Sequence, residues 1–136
     1  MSTSRPSILF LSGHDPGGGA GVQADLETAA ALGGHGVSLI TAHTVQDTRD
    51  VAAVRAPDLA LLREQAAVLL ADVPVRALKV GLLGAPGKLK EQALIVEYVG
   101  ERILVLASAA YGDRSVVQLV RAIQPSARLV QDRQLS

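Results

Sequence analysis

Cysteine is absent from this chain, and aromatic residues make up only 2% of it. Without cysteine there can be no disulfide, no thiolate nucleophile and no cysteine-based zinc site, a composition that fits a reducing compartment. With so few aromatics there is no platform on which bases could stack, and no basic run appears along the chain. Thirteen basic and thirteen acidic residues cancel to a formal charge of zero, which further excludes a nucleic-acid partner. Long hydrophobic runs are missing as well. The N-terminal apolar stretch Ile8-Leu9-Phe10-Leu11 is too short for a signal-peptide core or a membrane span. The composition reads as a cytoplasmic protein with no membrane partner.

What remains is aliphatic. Hydrophobic residues form 49% of the 136, so the core must be assembled from Ala, Val, Leu and Ile through many small contacts. The length suits one domain, or part of a larger one.

Apolar runs alternate with helical patterns. Strands are expected at residues 7–12, 37–42, 51–55, 77–80, 103–107 and 127–130. Helices are expected at 20–32, 59–71, 88–100 and 115–123. The helix at 59–71 is capped by Asp58 and carries an apolar stripe of Leu59, Leu62, Ala66 and Leu69. Such alternation predicts an α/β fold, a mostly parallel sheet with helices on both faces. Ligands of these folds sit beyond the carboxyl ends of the strands. Three polar or glycine-rich stretches meet that edge here: 13–19, 43–49 and 81–87.

The densest of them, Gly13-His14-Asp15-Pro16-Gly17-Gly18-Gly19-Ala20-Gly21, joins a strand to a helix start. Glycines permit close backbone approach, and a helix N-terminus offers unpaired N–H groups to an anion or polar ligand. Asp15, held beside a proline, suggests more than a turn. The run is not a dinucleotide fingerprint, because Val22 stands where the third glycine belongs. Gly84-Ala85-Pro86-Gly87-Lys88 is not a P-loop either: its first glycine is missing, and Leu89 stands where Ser or Thr would hold magnesium. His14, His35 and His43 lack metal-ligand spacing, so no metal site is expected. Lys79 at a strand end could balance a phosphate or simply reach solvent. Asp25 could favour its helix dipole or accept hydrogen bonds from a ligand. Gln46 could be an exposed loop residue or could offer a donor and an acceptor side by side.

Taken together, residues 12–26 closely resemble the opening of hydroxymethylpyrimidine and phosphomethylpyrimidine kinases, members of the ribokinase-like superfamily that serve thiamine synthesis. The resemblance continues through Gly36-Val37-Ser38-Leu39-Ile40-Thr41-Ala42, Val45-Gln46-Asp47-Thr48 and Lys79-Val80-Gly81-Leu82-Leu83, and covers mainly residues 7–85. It implies a single truncated ribokinase-like domain over 1–136, with the pyrimidine held by Gly13, Asp25 and Gln46 against an apolar wall at Leu82. It also implies ATP and Mg as cofactors. The family's Asp-Pro-Val type segment has no counterpart after the strand at 103–107, and its catalytic base, anion hole and most of its ATP site find no match. The Ala110-Tyr111-Gly112-Asp113 turn comes too early and lacks the first glycine of the family's Gly-x-Gly-Asp. Three readings follow: the substrate-binding half of such a kinase, a non-catalytic pyrimidine-binding or regulatory module, or a degenerate fragment. A sheet cut midway would expose an edge strand, which a homodimer or a partner chain could cover.

Overall fold

A computed structural model describes residues 4–84 and the backbone of 104–107. The elements expected at 88–100, 115–123 and 127–130, and the turn at 110–113, lie outside the described residues. Within them the chain runs β1 (Ser7–His14), α1 (Gly21–Ala31), β2 (His35–Gln46), β3 (Val51–Arg55), α2 (Leu59–Asp72), β4 (Val75–Val80) and β5 (Leu104–Ala107).

The five strands form one sheet in the order β3-β2-β1-β4-β5. All neighbours are parallel except β2 and β3, which form an antiparallel hairpin. The sheet is therefore mixed, with the parallel majority the sequence predicts. The hairpin corrects one boundary: residues 43–46 belong to β2, not to a loop, and only residues 47–50 turn. Asp47 closes that turn by accepting hydrogen bonds from the Arg49 and Asp50 N–H groups at 2.8 and 2.9 Å. Those two bonds hold its carboxyl below the usual carboxylate range. β1 likewise runs two residues past the expected Ser12, through a register shift between Ser12 and Gly13.

Strand alternation separates two faces. Leu9, Leu11, Leu39, Leu78 and Val80 point to one side and bury Leu62 and Ala66 of α2, with Leu59 and Leu69 packed at the margin. The predicted α2 stripe is therefore the stripe that packs. Phe10 and Ser12 point to the opposite side, toward α1, where Val22 and Ala29 are buried. Gly36 keeps that helix close, since a Cβ there would lie 2.5 Å from Leu26 Cδ2. α1 ends in paired 6→1 and 5→2 bonds, from Gly34 N–H to Ala29 O at 2.8 Å and from Gly33 N–H to Ala30 O at 3.1 Å. Gly33 sits between them at φ +84°, the left-handed position this terminus requires.

The chain leaves β1 toward β2 on one side, and leaves β4 toward β5 on the other. Loops following β1 and β4 therefore part from one another and open a crevice at the carboxyl edge between these two strands. Among the described residues, no helix is long and apolar enough to cross a membrane.

Candidate functional site

The loop after β1 is built around Asp15. Its Oδ1 accepts the Gly17 N–H at 2.9 Å, and its Oδ2 accepts those of Gly19 and Ala20 at 3.1 and 3.2 Å. Gly18 N–H closes a turn onto the Asp15 carbonyl at 3.0 Å, with Pro16 at the position whose fixed φ suits it. The Asp15 side chain is buried within its own loop. These bonds order the loop that precedes α1, while the N-cap Ala20 makes no side-chain capping bond to the helix's first turn. The carboxylate gathers the loop amides as a bound anion would. Asp15 thus shapes the glycine loop.

At the crevice itself, β1 brings Ser12 and Gly13, α1 brings Asp25, and β4 with its following loop brings Lys79, Gly81 and Leu82. Ser12 Oγ donates to Asp25 Oδ2 at 2.8 Å. Lys79 Nζ donates to Asp25 Oδ1 in an ion pair whose carboxylate is nearly buried and whose lysine is a third exposed. Lys79 is therefore engaged by Asp25, a partner that neither sequence alternative for it named. Gly81 packs against Ser12, its Cβ position lying 3.1 Å from Ser12 Oγ, and its N–H donates to Leu11 O at 2.7 Å.

Gly13 faces Leu82. A Cβ at residue 13 would lie 3.2 Å from Leu82 Cδ2, so the missing side chain leaves the floor beside Leu82 clear. Leu82 itself is 43% exposed, unusual for a large aliphatic residue at a sheet edge and suited to packing against a flat apolar ring. Its backbone is fixed from β2: Thr41 Oγ1 donates to the Leu82 carbonyl, and Gly84 N–H donates to the Thr41 carbonyl at 3.2 Å.

Gln46 stands apart from this group. It lies three residues beyond His43, the last β2 residue paired with β1, or roughly 10 Å along the strand. It is half-buried, and its amide makes no side-chain hydrogen bond to another described residue. The structure thus brings Gly13, Asp25 and Leu82 to the β1/β4 edge and leaves Gln46 at the far end of β2, paired with Val51 of β3. Sequence reasoning missed Ser12 as a member of the site. The signal was its strand parity, which turns it to the α1 face beside Asp25.

Two features the sequence offered for phosphate, the glycine loop and Lys79, each have a carboxylate partner within the described residues. The loop amides hold Asp15, and Lys79 holds Asp25. Among the described residues no three His, Asp or Glu side chains gather as a metal site. No ATP or magnesium site is thereby assigned among the described residues.

A parallel-majority sheet with helices on both faces and a polar crevice at its switch point defines a doubly wound α/β protein. The phosphomethylpyrimidine kinase family model matches residues 15–109, and the chain belongs to that family. It is 36% identical to a hydroxymethylpyrimidine/phosphomethylpyrimidine kinase of Rhizobium meliloti over 90% of this chain and 48% of that one. A thiamine biosynthesis multifunctional protein of Corynebacterium glutamicum is 44% identical over 62% of this chain and 11% of its own length. The crystal structure of phosphomethylpyrimidine kinase from Clostridium difficile superposes with a TM-score of 0.67 at 33% identity, covering 76% of this chain and 45% of that one. An ADP complex of Bacillus subtilis pyridoxal kinase superposes with a TM-score of 0.68 at 25% identity, covering 87% and 46%. The chain thus spans no more than about half the length of these relatives.

Proposed function

We propose that this chain is the substrate-binding half of a hydroxymethylpyrimidine/phosphomethylpyrimidine kinase, a single ribokinase-like domain portion whose task is to hold the pyrimidine. The observation that carries this reading is the convergence of Gly13, Asp25 and Leu82 at the β1/β4 crevice; Gln46, at the carboxyl end of β2, is proposed to reach the ligand from there. An aminopyrimidine presents a ring-nitrogen acceptor beside an exocyclic amine, and a carboxamide matches both at once. Asp25 accepts a further donor, and Leu82 covers the ring face.

In the full reaction of the family, the ATP γ-phosphoryl passes to the hydroxymethyl oxygen or to the phosphate of its monophosphate. Phosphoryl transfer needs charge neutralisation and a poised base in addition to positioning. The described residues supply positioning alone. We therefore expect binding without turnover from this chain, in the cytoplasm, where a cysteine-free protein is at no disadvantage. A covering partner, either a second copy or a separate chain, belongs to the same proposal. Val45 and Val51 on the outer β2–β3 hairpin are 52% and 53% exposed.

Calorimetric titration with hydroxymethylpyrimidine tests the reading. Wild-type protein is expected to show saturable binding, and Gln46→Ala to weaken it by about ten- to a hundredfold, the loss of two hydrogen bonds in a partly desolvated site. Equal affinity in the two proteins would remove Gln46 from the site. No binding to either would favour the degenerate fragment.

A further inference from the structure

We propose that His14, His43 and Arg55 form an anion subsite at the carboxyl edge of β1, β2 and β3, one that takes a chain of linked phosphates. The proposal stands apart from the pyrimidine reading and concerns different residues. It is carried by strand register. His14 at the end of β1 lies opposite His43 of β2, and His43 lies opposite Arg55 of β3. Directly opposed residues share a face of the sheet, with Cβ atoms about 5 Å apart. Three nitrogen-bearing side chains thus stand in one row across three strands. The two imidazoles already meet edge to face, their ring centroids 6.5 Å apart. Thr44 Oγ1 donates to the His14 carbonyl at 2.7 Å and ties β1 to β2 at this level.

The charge pattern favours an anion there. The acids nearest in sequence are all bonded to backbone N–H groups: Asp15 beside His14 to its glycine loop, Asp47 past His43 to its turn, and Asp58 past Arg55 to the start of α2. The side chains of His14, His43 and Arg55 make no hydrogen bond or ion pair with a described residue. His43 and Arg55 are exposed and His14 is half-buried, so the row is open to a solute. An imidazole offers an N–H in either charge state, and a guanidinium offers a planar fork that matches two oxygens of one phosphate. The fixed charge of Arg55 disfavours a metal cation on the two imidazoles. The row spans two strand spacings, about 10 Å. A single ion meets one end of it, whereas linked phosphates meet the guanidinium and both rings together.

The test follows the histidine ring resonances of the isotope-labelled whole chain during titration with orthophosphate, pyrophosphate and tripolyphosphate at constant ionic strength. His35 is the internal control, since it opens β2 opposite Ser7, roughly 26 Å along the strand from His43. Saturable shifts are expected at His14 and His43 with His35 unmoved, and tripolyphosphate should bind about tenfold more tightly than orthophosphate. Arg55→Gln should weaken tripolyphosphate binding about tenfold, and Arg55→Lys, which keeps the charge without the fork, should fall between. His43→Gln should weaken it as well, and covers the case in which the Arg55 variants do not fold. ADP forms a second arm. Tighter binding than pyrophosphate at these rings identifies a nucleotide as the source of the phosphates, equal or weaker binding identifies a phosphate chain alone, and both retain the row. Equal movement of all three histidines marks general screening and overturns the proposal. So do silent His14 and His43 rings, equal affinity for orthophosphate and tripolyphosphate, or tripolyphosphate binding unchanged in Arg55→Gln. Each of those failures leaves the pyrimidine reading standing, because hydroxymethylpyrimidine is titrated separately.

Discussion

Replacing Gly21 by alanine is expected to cost about 3 kcal/mol of folding stability and to lower the melting temperature by roughly 10 °C. Two independent penalties combine there. Gly21 has φ +66°, a conformation that costs an L-residue about 1–2 kcal/mol. A Cβ would also stand 2.3 Å from the Gly13 carbonyl oxygen, which is backbone and cannot swing away. His14 and Gly21 form a bridge at this point, so the start of α1 is pressed directly onto the end of β1. Any retreat of the helix to admit the methyl group would also draw Asp25 away from Ser12 and Lys79. Gly33 provides the control. Its φ of +84° is as unusual, but nothing lies within 4 Å of its Cβ position. Gly33→Ala should therefore cost only the conformational part, about 1 kcal/mol. Thermal melts of the two variants separate crowding from backbone strain, and equal losses would show that the close approach of α1 to β1 contributes nothing.

Asp15→Ala is the second large effect. It removes the acceptor for three N–H groups, those of Gly17, Gly19 and Ala20, in the loop that leads into α1. Hydrogen bonds to a charged group contribute about 1.5–3 kcal/mol each, but Gly17, Gly19 and Ala20 are exposed and water can reclaim part of the loss. A net destabilisation of about 2–3 kcal/mol follows, measured by denaturant unfolding. The variant also carries a distinctive signature. With the carboxylate gone, the loop amides form an empty anion site, so phosphate or sulfate should recover part of the stability of Asp15→Ala and add little to wild type. An Asp15→Ala protein as stable as wild type, or one indifferent to these anions, would return Asp15 to the candidate ligand-binding groups.

These two residues show what could be read from the sequence. The strand, glycine turn and helix start were legible because Ile8–Leu11, Gly17–Gly21 and the spacing of Val22 and Ala29 each carry a local signal. Asp-Pro-Gly-Gly is also a local signal, a side chain bonding its own backbone two residues on, and it points to a turn more directly than to a ligand. Both strand ends ran longer than expected. Residues 43–46 are polar or exposed at alternate positions, so they look like loop until the antiparallel pairing with β3 supplies partners. The Lys79–Asp25 pair was out of reach. Its members lie 54 residues apart, and they meet only because β4 lies beside β1 in a sheet whose order departs from chain order. Parity along β1 could have placed Ser12 on the α1 face, but not the register that puts Gly81 against it.

The most direct test of where the ligand sits is amide chemical-shift mapping of isotope-labelled protein during titration with hydroxymethylpyrimidine. The expected result is saturable shifts at Ser12, Gly13, Asp25, Gln46, Gly81 and Leu82, with Leu62 and Ala66 on the α2 face unmoved. Shifts confined to the α2 face or to the Gly17–Ala20 loop, with the β1/β4 crevice silent, would contradict the assignment of that crevice as the pyrimidine site.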